Sequence, residues 1–309
     1  MRRKILYLLL FAAPLGLYPY LRDTGVNDFV EDPFIESNKS QPRPLSPIER
    51  RACQSVASLP VLPGQAFPAL LCWESLRVLG QEKADSLEDL AKRDPLAFLE
   101  ECSQQYEQHV HGYRLIFVKQ ERVKGKLHPK ERIRCCFREQ PFSVHMHWLA
   151  GAGKAIRTLY VKGENKDMLL ARPTIEWLGV WAKKLDSPEV TATSRFPITE
   201  FGINHGAKST IVAMRAAEQR GALHVRYGGL ECVKELGDRY CYKLIRSPYD
   251  PPEADGGINE YTIYIDAETL LHTGSVLKDS EGKLLAEYFF RDIELNPVFD
   301  AKLFTDKGL

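Results

Sequence analysis

The chain has 309 residues, 44% of them hydrophobic, so it can bury one large core or two smaller ones. Its 42 basic and 41 acidic residues leave a net charge of +1, which argues against a dedicated nucleic-acid binder and gives no reason to expect an acidic partner. Seven cysteines, an odd count, leave at least one without an intramolecular partner, and no CxxC spacing supports a structural zinc.

The N-terminus reads as a targeting segment. Arg2, Arg3 and Lys4 precede an apolar run from Ile5 to Leu21, with Arg22 just beyond. That run is long for a signal-peptide core and short of the ~20 residues of a bilayer span. A cut after Ala13 would put Phe11 at the third position back and Pro14 next to the cut, both poor choices. Residues 1–22 therefore read as a signal anchor or signal peptide, expected to stay as an anchor in the inner membrane, with the rest exported to the periplasm or cell envelope. Residues 23–47, with Pro33, Pro42, Pro44 and Pro47, read as a flexible linker. In residues 48–85, Pro60, Pro63 and Pro68 divide an irregular or helical extension into short pieces.

Folding signals become strong at Ser86. Ser86 can cap a short helix, with Asp89 three residues on. Asp94 followed by Pro95 is an N-cap and first-turn pair, and Leu99, Cys102 and Tyr106 continue a helical stripe to about residue 109. Gly112 ends it. Four strand-like runs follow, YRLIFVKQERV, KERIRCCFRE, FSVHMHWL and IRTLYVKG, then a short one, MLLARP. Residues 174–198 take no clear assignment. Ile203, Ala207, Ile211 and Met214 mark a second amphipathic helix ending near Gly221. A hairpin about Gly237-Asp238 and a meander of NEYTIYID, LHTGSVLK and KLLAEYFFRDIELNP complete the pattern, with a type I turn expected at Asp279–Gly282. No βαβ rhythm occurs, so the fold class is α+β with an antiparallel sheet.

Three stretches carry a resemblance. YRLIFVKQERVKGKLHPKERI with QPFSVHMHWL, then LYVKGENKDMLLARP, then RFPITEFGI resemble an exported bacterial family, domain of unknown function 1571. That family looks like a branch of the lipoprotein-carrier superfold, which includes lipoprotein localisation factors and the lipid-sensing domain of an anti-sigma-factor regulator. The resemblance covers residues 86–305. It implies a curved antiparallel sheet, a half-open β-barrel, with helices packed in its mouth, and acyl chains held between sheet and helices.

Strand alternation supplies candidates for such a cavity. Phe142, Val144, Met146 and Trp148 share one strand face, and Tyr261, Ile263 and Ile265 share another. A filled core would need the same alternation. The expected function is an exported, membrane-tethered binding protein that carries or senses a hydrophobic ligand such as a lipid or a lipoprotein acyl chain. The alternative is an envelope protein-interaction module without lipid, and a hydrolase ranks last.

No catalytic residue, cofactor or metal site is expected. LAGAGKAIRT lacks the first glycine of a phosphate loop, Trp148 standing there, and Ala155 replaces the hydroxyl residue after Lys154. His145 and His147 share a strand face, but no carboxylate or cysteine joins them at a ligand spacing. Glu121 is expected to pair with a cross-strand base at an exposed position. Cys135 and Cys136 are adjacent in a strand and so face opposite ways. Cys232 and Cys241 stand on the two hairpin arms and are the expected disulfide, subject to strand register.

Overall fold

The computed structural model describes residues 86–309, apart from Thr193, residues 250–255 and the side chain of Glu176. The expected anchor, linker and extension over 1–85 lie outside the described residues. A helical stretch over 86–93 leads to α1, Pro95–His109. Asp94 Oδ1 accepts from the Ala97 N–H at 2.9 Å, and Pro95 has no N–H to leave unsatisfied. α1 buries Leu96, Phe98, Leu99, Cys102 and Tyr106.

The strands are β1 Gly112–Val123, β2 Lys126–Leu127, β3 Glu131–Arg138, β4 Ser143–Ala150, β5 Ala155–Val161, β6 Leu169–Pro173 and β7 Trp181–Lys183. After α2, Ile203–Gln219, come β8 Val225–Val233, β9 Arg239–Arg246, β10 Glu260–Asp266, β11 His272–Lys278 and β12 Leu284–Leu295. All pair antiparallel in the order β7-β6-β5-β4-β3-β1-β12-β11-β10-β9-β8, with β2 on β1. Two meanders, one before α2 and one after it, are thus joined by the long-range pair β1–β12. The sheet is curved and not closed, the α+β architecture that the lipoprotein-carrier resemblance implies.

The expected strands all form. The unassigned region holds β7, a helical turn at Pro188–Thr191 and a 3-10 turn at Ile198–Glu200. Pieces this short carry no periodicity to read. The Asp279 turn forms as expected: Gly282 N–H donates to Asp279 O at 3.0 Å, with Gly282 at φ 76°.

α2 begins where the RFPITEFGI motif ends. Gly202 has φ 137°, which disfavours a side chain, and a Cβ there would lie 3.2 Å from the Tyr113 hydroxyl. That hydroxyl accepts the Ile203 N–H at 3.0 Å. α2 packs on α1, where the Ser103 hydroxyl donates to Asn204 Oδ1 at 2.7 Å within the buried contact.

Both helices cover one sheet face. On the β8–β10 side, Phe98, Leu99 and Met214 pack on Tyr242, Leu244, Ile263 and Ile265. On the β1–β6 side, Tyr106, Val110 and Ile203 meet Tyr113, Leu115, Ile133, Phe137 and Val144. The opposite face is covered in part by the C-terminal segment. Phe304 and Leu309 are buried there against Cys136, Leu159, Val161 and Leu170. The Arg138 guanidinium lies 4.6 Å over the Phe304 ring.

Candidate functional site

The helix-bearing face has two differently covered halves. Over β8–β11 the cover is regular helix. Over β1–β6 much of the cover is the segment of short turns that contributes Leu185, Val190, Ile198 and Phe201. Beneath it lies an aromatic field. Phe117 contacts Phe201, Tyr288 and Phe290 at centroid distances of 5.5, 6.0 and 5.0 Å. Phe137 stacks on Tyr113 at 4.8 Å and meets Phe142 edge-on at 5.3 Å. Such pairs contribute ~0.5–1.5 kcal/mol each beyond area burial.

The seven residues singled out from strand alternation are placed on this face but divided between its halves. Phe142, Val144 and Met146 are buried in the β1–β6 cluster, with Trp148 half-buried beside them. Ile263 and Ile265 are buried in the β8–β10 cluster, with Tyr261 at its margin. Register explains the sharing: Val144 opposes Phe137, and Ile263 opposes Leu244. These side chains pack against sheet and helices.

Open space occurs at one end of the face. A cleft of about 410 Å³ is lined by Glu139, Pro141, Phe142, Tyr160, Lys162 and His205. Phe142 belongs both to this cleft and to the aromatic field. Glu139 is the cleft's electrostatic centre. It accepts from the Tyr106 hydroxyl at 2.7 Å and lies 3.5 Å from His205 Nε2. Burial works to raise its carboxyl, but the hydrogen bonds from His205 and Tyr106 outweigh this and hold it below the usual range.

Beyond the aromatic field lies a buried ionic cluster. Glu121 is only 3% exposed. Its carboxylate takes Lys119 Nζ at 3.0 Å, the Tyr288 hydroxyl at 2.6 Å, the Ser194 hydroxyl at 3.3 Å and the Arg195 N–H at 3.4 Å. Lys119 also lies 3.5 Å from Glu131, which accepts from Trp148 Nε1 at 2.5 Å. Burial, then the adjacent Glu121 charge, pushes the Tyr288 hydroxyl far above its ordinary value. The expected exposed position for Glu121 is thus corrected. Lys119 sits two residues away on the same strand, so both side chains share the covered face, and Tyr288 of β12, with Ser194 and Arg195 of the covering segment, supplies the remaining donors. Sequence alone shows only that Lys119 and Glu121 share a face.

A second polar chain runs beneath α2. His272 Nε2 lies 2.8 Å from Ser275 Oγ, which lies 3.2 Å from the Tyr261 hydroxyl, itself 3.3 Å from Thr210 Oγ1. Burial drives the His272 imidazole down to about 4. A cavity of about 10 Å³, room for roughly one water, touches His272, Ser103, Asn204 and Cys102.

The remaining candidates are apart from this face. His145 and His147 point to the opposite face, where His145 Nε2 lies 3.0 Å from Gly308 O. Among the described residues no cluster of three metal-ligating side chains occurs. The expected Cys232–Cys241 disulfide is corrected: both thiols are free. Cys232 opposes Tyr240 while Cys241 opposes Glu231, and the offset of one leaves Cys232 exposed and Cys241 buried. Among the described residues, no helix is long and apolar enough to cross a membrane.

The sequence profile described as protein of unknown function (DUF1571) matches residues 110–308. No curated protein matches the chain. The crystal structure of MucB aligns at 13% identity and TM-score 0.42 over 68% of this chain and 62% of MucB, so the chain spans less than two thirds of that protein. A LolA superfamily protein from Nitrosomonas europaea aligns at 9% identity and TM-score 0.31, covering 68% of this chain and 98% of that one. The Mycobacterium tuberculosis lipoprotein LppX aligns at 11% identity and TM-score 0.33, covering 67% and 98%.

Proposed function

The chain belongs to the family described as protein of unknown function DUF1571, and from that premise we propose that it is a cell-envelope binding protein that carries or senses a hydrophobic ligand, a lipid or a lipoprotein acyl chain. The residues before the described fold, with the apolar run Ile5–Leu21, would hold it at the membrane. One observation carries the reading. The aromatic half of the helix-bearing face is covered largely by short turns that contribute four partly buried apolar side chains, Leu185, Val190, Ile198 and Phe201. Such a cover has few internal hydrogen bonds to lose, so it can give way at lower cost than a packed helix. An acyl chain entering at the Phe142 cleft would take the place of those contacts. Burial contributes ~25 cal/mol per Å² of apolar area, so one long chain supplies several kcal/mol.

The filled packing around Val144 favours the second reading, an envelope interaction module with no lipid. The two are separated by purifying the chain from residue 48 onward, which lacks the apolar run Ile5–Leu21, without detergent and measuring bound lipid by native mass spectrometry. A carrier shows lipid-sized mass that Val144→Phe reduces, even though the larger side chain also strains the packing around Val144. A dry core shows no lipid, and Val144→Phe overpacks at a cost of ~1–3 kcal/mol. Absence of lipid together with clear destabilisation would end the carrier reading.

A further inference from the structure

The β6–β7 connection exposes an apolar tip that the core does not use. Ile175, Trp177, Leu178 and Val180 are 51%, 84%, 36% and 38% exposed. Gly179, at φ 69°, turns the chain between Leu178 and Val180, and a Cβ built there meets nothing, so the tip projects into solvent. Trp181 follows, half-buried as β7 begins. The tip lies at a sheet edge, since β7 ends the strand order among the described residues.

We propose that this tip, residues 174–181, docks on the interfacial layer of a phospholipid bilayer. Area argues against a protein partner held by the tip alone. With aromatic side chains at ~150–250 Å² each and aliphatic ones somewhat smaller, the exposed apolar surface is roughly 400 Å². A stable protein interface needs about 800 Å² per partner. A bilayer needs no matching surface, and tryptophan concentrates at its interface, where an apolar ring and a polar N–H are both satisfied. The charges in and beside the tip balance: Lys154, Lys183 and Lys184 stand against Glu176, Asp186 and Glu189, with Lys183 paired to Glu189 at 2.7 Å. The contact is therefore insertion of apolar side chains and is insensitive to salt. The choice of bilayer rests on the reading of residues 1–22 as membrane-attached. The 63 residues from 23 to 85 allow up to about 200 Å of chain, so length does not keep the tip from that membrane.

The test uses the full chain on phosphatidylcholine–phosphatidylglycerol vesicles, with and without bromine on the acyl chains, read by tryptophan emission. Bromine is expected to quench the wild type, and most of that quenching is lost in Trp177→Phe at equal vesicle binding. Val298→Trp adds an indole at a position 96% exposed elsewhere on the surface, and its added emission should escape quenching. Equal quenching in wild type and Trp177→Phe, or equal quenching of the Val298→Trp indole, overturns the proposal. So does failure of the wild type to bind vesicles, or crosslinking of the tip to a protein without bromine quenching. Lipid occupancy of Trp177→Phe by native mass spectrometry keeps this result separate from the carrier reading, because the tip lies outside the aromatic field.

Discussion

Lys119→Ala is expected to destabilise the fold by ~3–5 kcal/mol, because it leaves the Glu121 carboxylate buried without its cation. Glu121 would keep only uncharged donors, the Tyr288 and Ser194 hydroxyls and the Arg195 N–H. Glu131 would lose a partner as well, though it is less buried and retains the Trp148 N–H. For a domain of this size each kcal/mol lowers Tm by ~2–4 °C, so a fall of ~6 °C or more should be seen in a thermal scan. The double variant Lys119→Met/Glu121→Leu removes both charges and should recover most of the loss, since apolar replacements of a buried pair are often neutral or stabilising. A single variant within ~1 kcal/mol of wild type would show that the carboxylate is solvated or displaced, contrary to the packing described.

Acid is expected to weaken the fold through His272. Its ordinary value is 6.5, and burial lowers it to about 4 in the folded chain. Between these values the unfolded chain binds a proton that the folded chain refuses, so stability is present above pH 6.5 and is lost as pH falls toward 4. The difference amounts to about 3 kcal/mol at 1.36 kcal/mol per unit. Urea titrations from pH 7 to pH 4 should show this slope in the wild type and a flatter one in His272→Gln. Burial also lowers His145 and His147, which add in the same direction and remain in both proteins. Carboxylates contribute equally to both curves, so the comparison is of slopes. Identical slopes would mean that His272 is already open to water or protonated in the folded state.

Much of the architecture was legible because it rests on local chemistry. Asp94-Pro95 states a helix start in two residues, and the observed cap uses that same carboxylate. The β8 run alternates half-buried with exposed positions because one face of its strand is covered and the other is open. β7 was not legible, since three residues paired on one side only leave no period to detect. The disulfide was misjudged for a related reason. Spacing from the turn cannot distinguish adjacent registers, and the turn at Gly237-Asp238 sets Cys232 opposite Tyr240 and Cys241 opposite Glu231.

The candidate site was legible in its halves and not in its assembly. Alternation by itself identified Phe142, Val144 and Met146 as one face and Ile263 and Ile265 as another, since a pleated strand sends every second residue the same way. Tertiary structure decided what covers those faces. It brought β1 beside β12, placing Tyr288 against Lys119 and Glu121 from 167 positions away in the case of Glu121. It also laid Ser194 and Arg195 over that carboxylate, and set His272 beneath α2 with Ser275, Tyr261 and Thr210. Local propensity acts over a few residues, whereas burial and ion pairing depend on which distant segments the chain brings together, and no periodicity in the sequence records that.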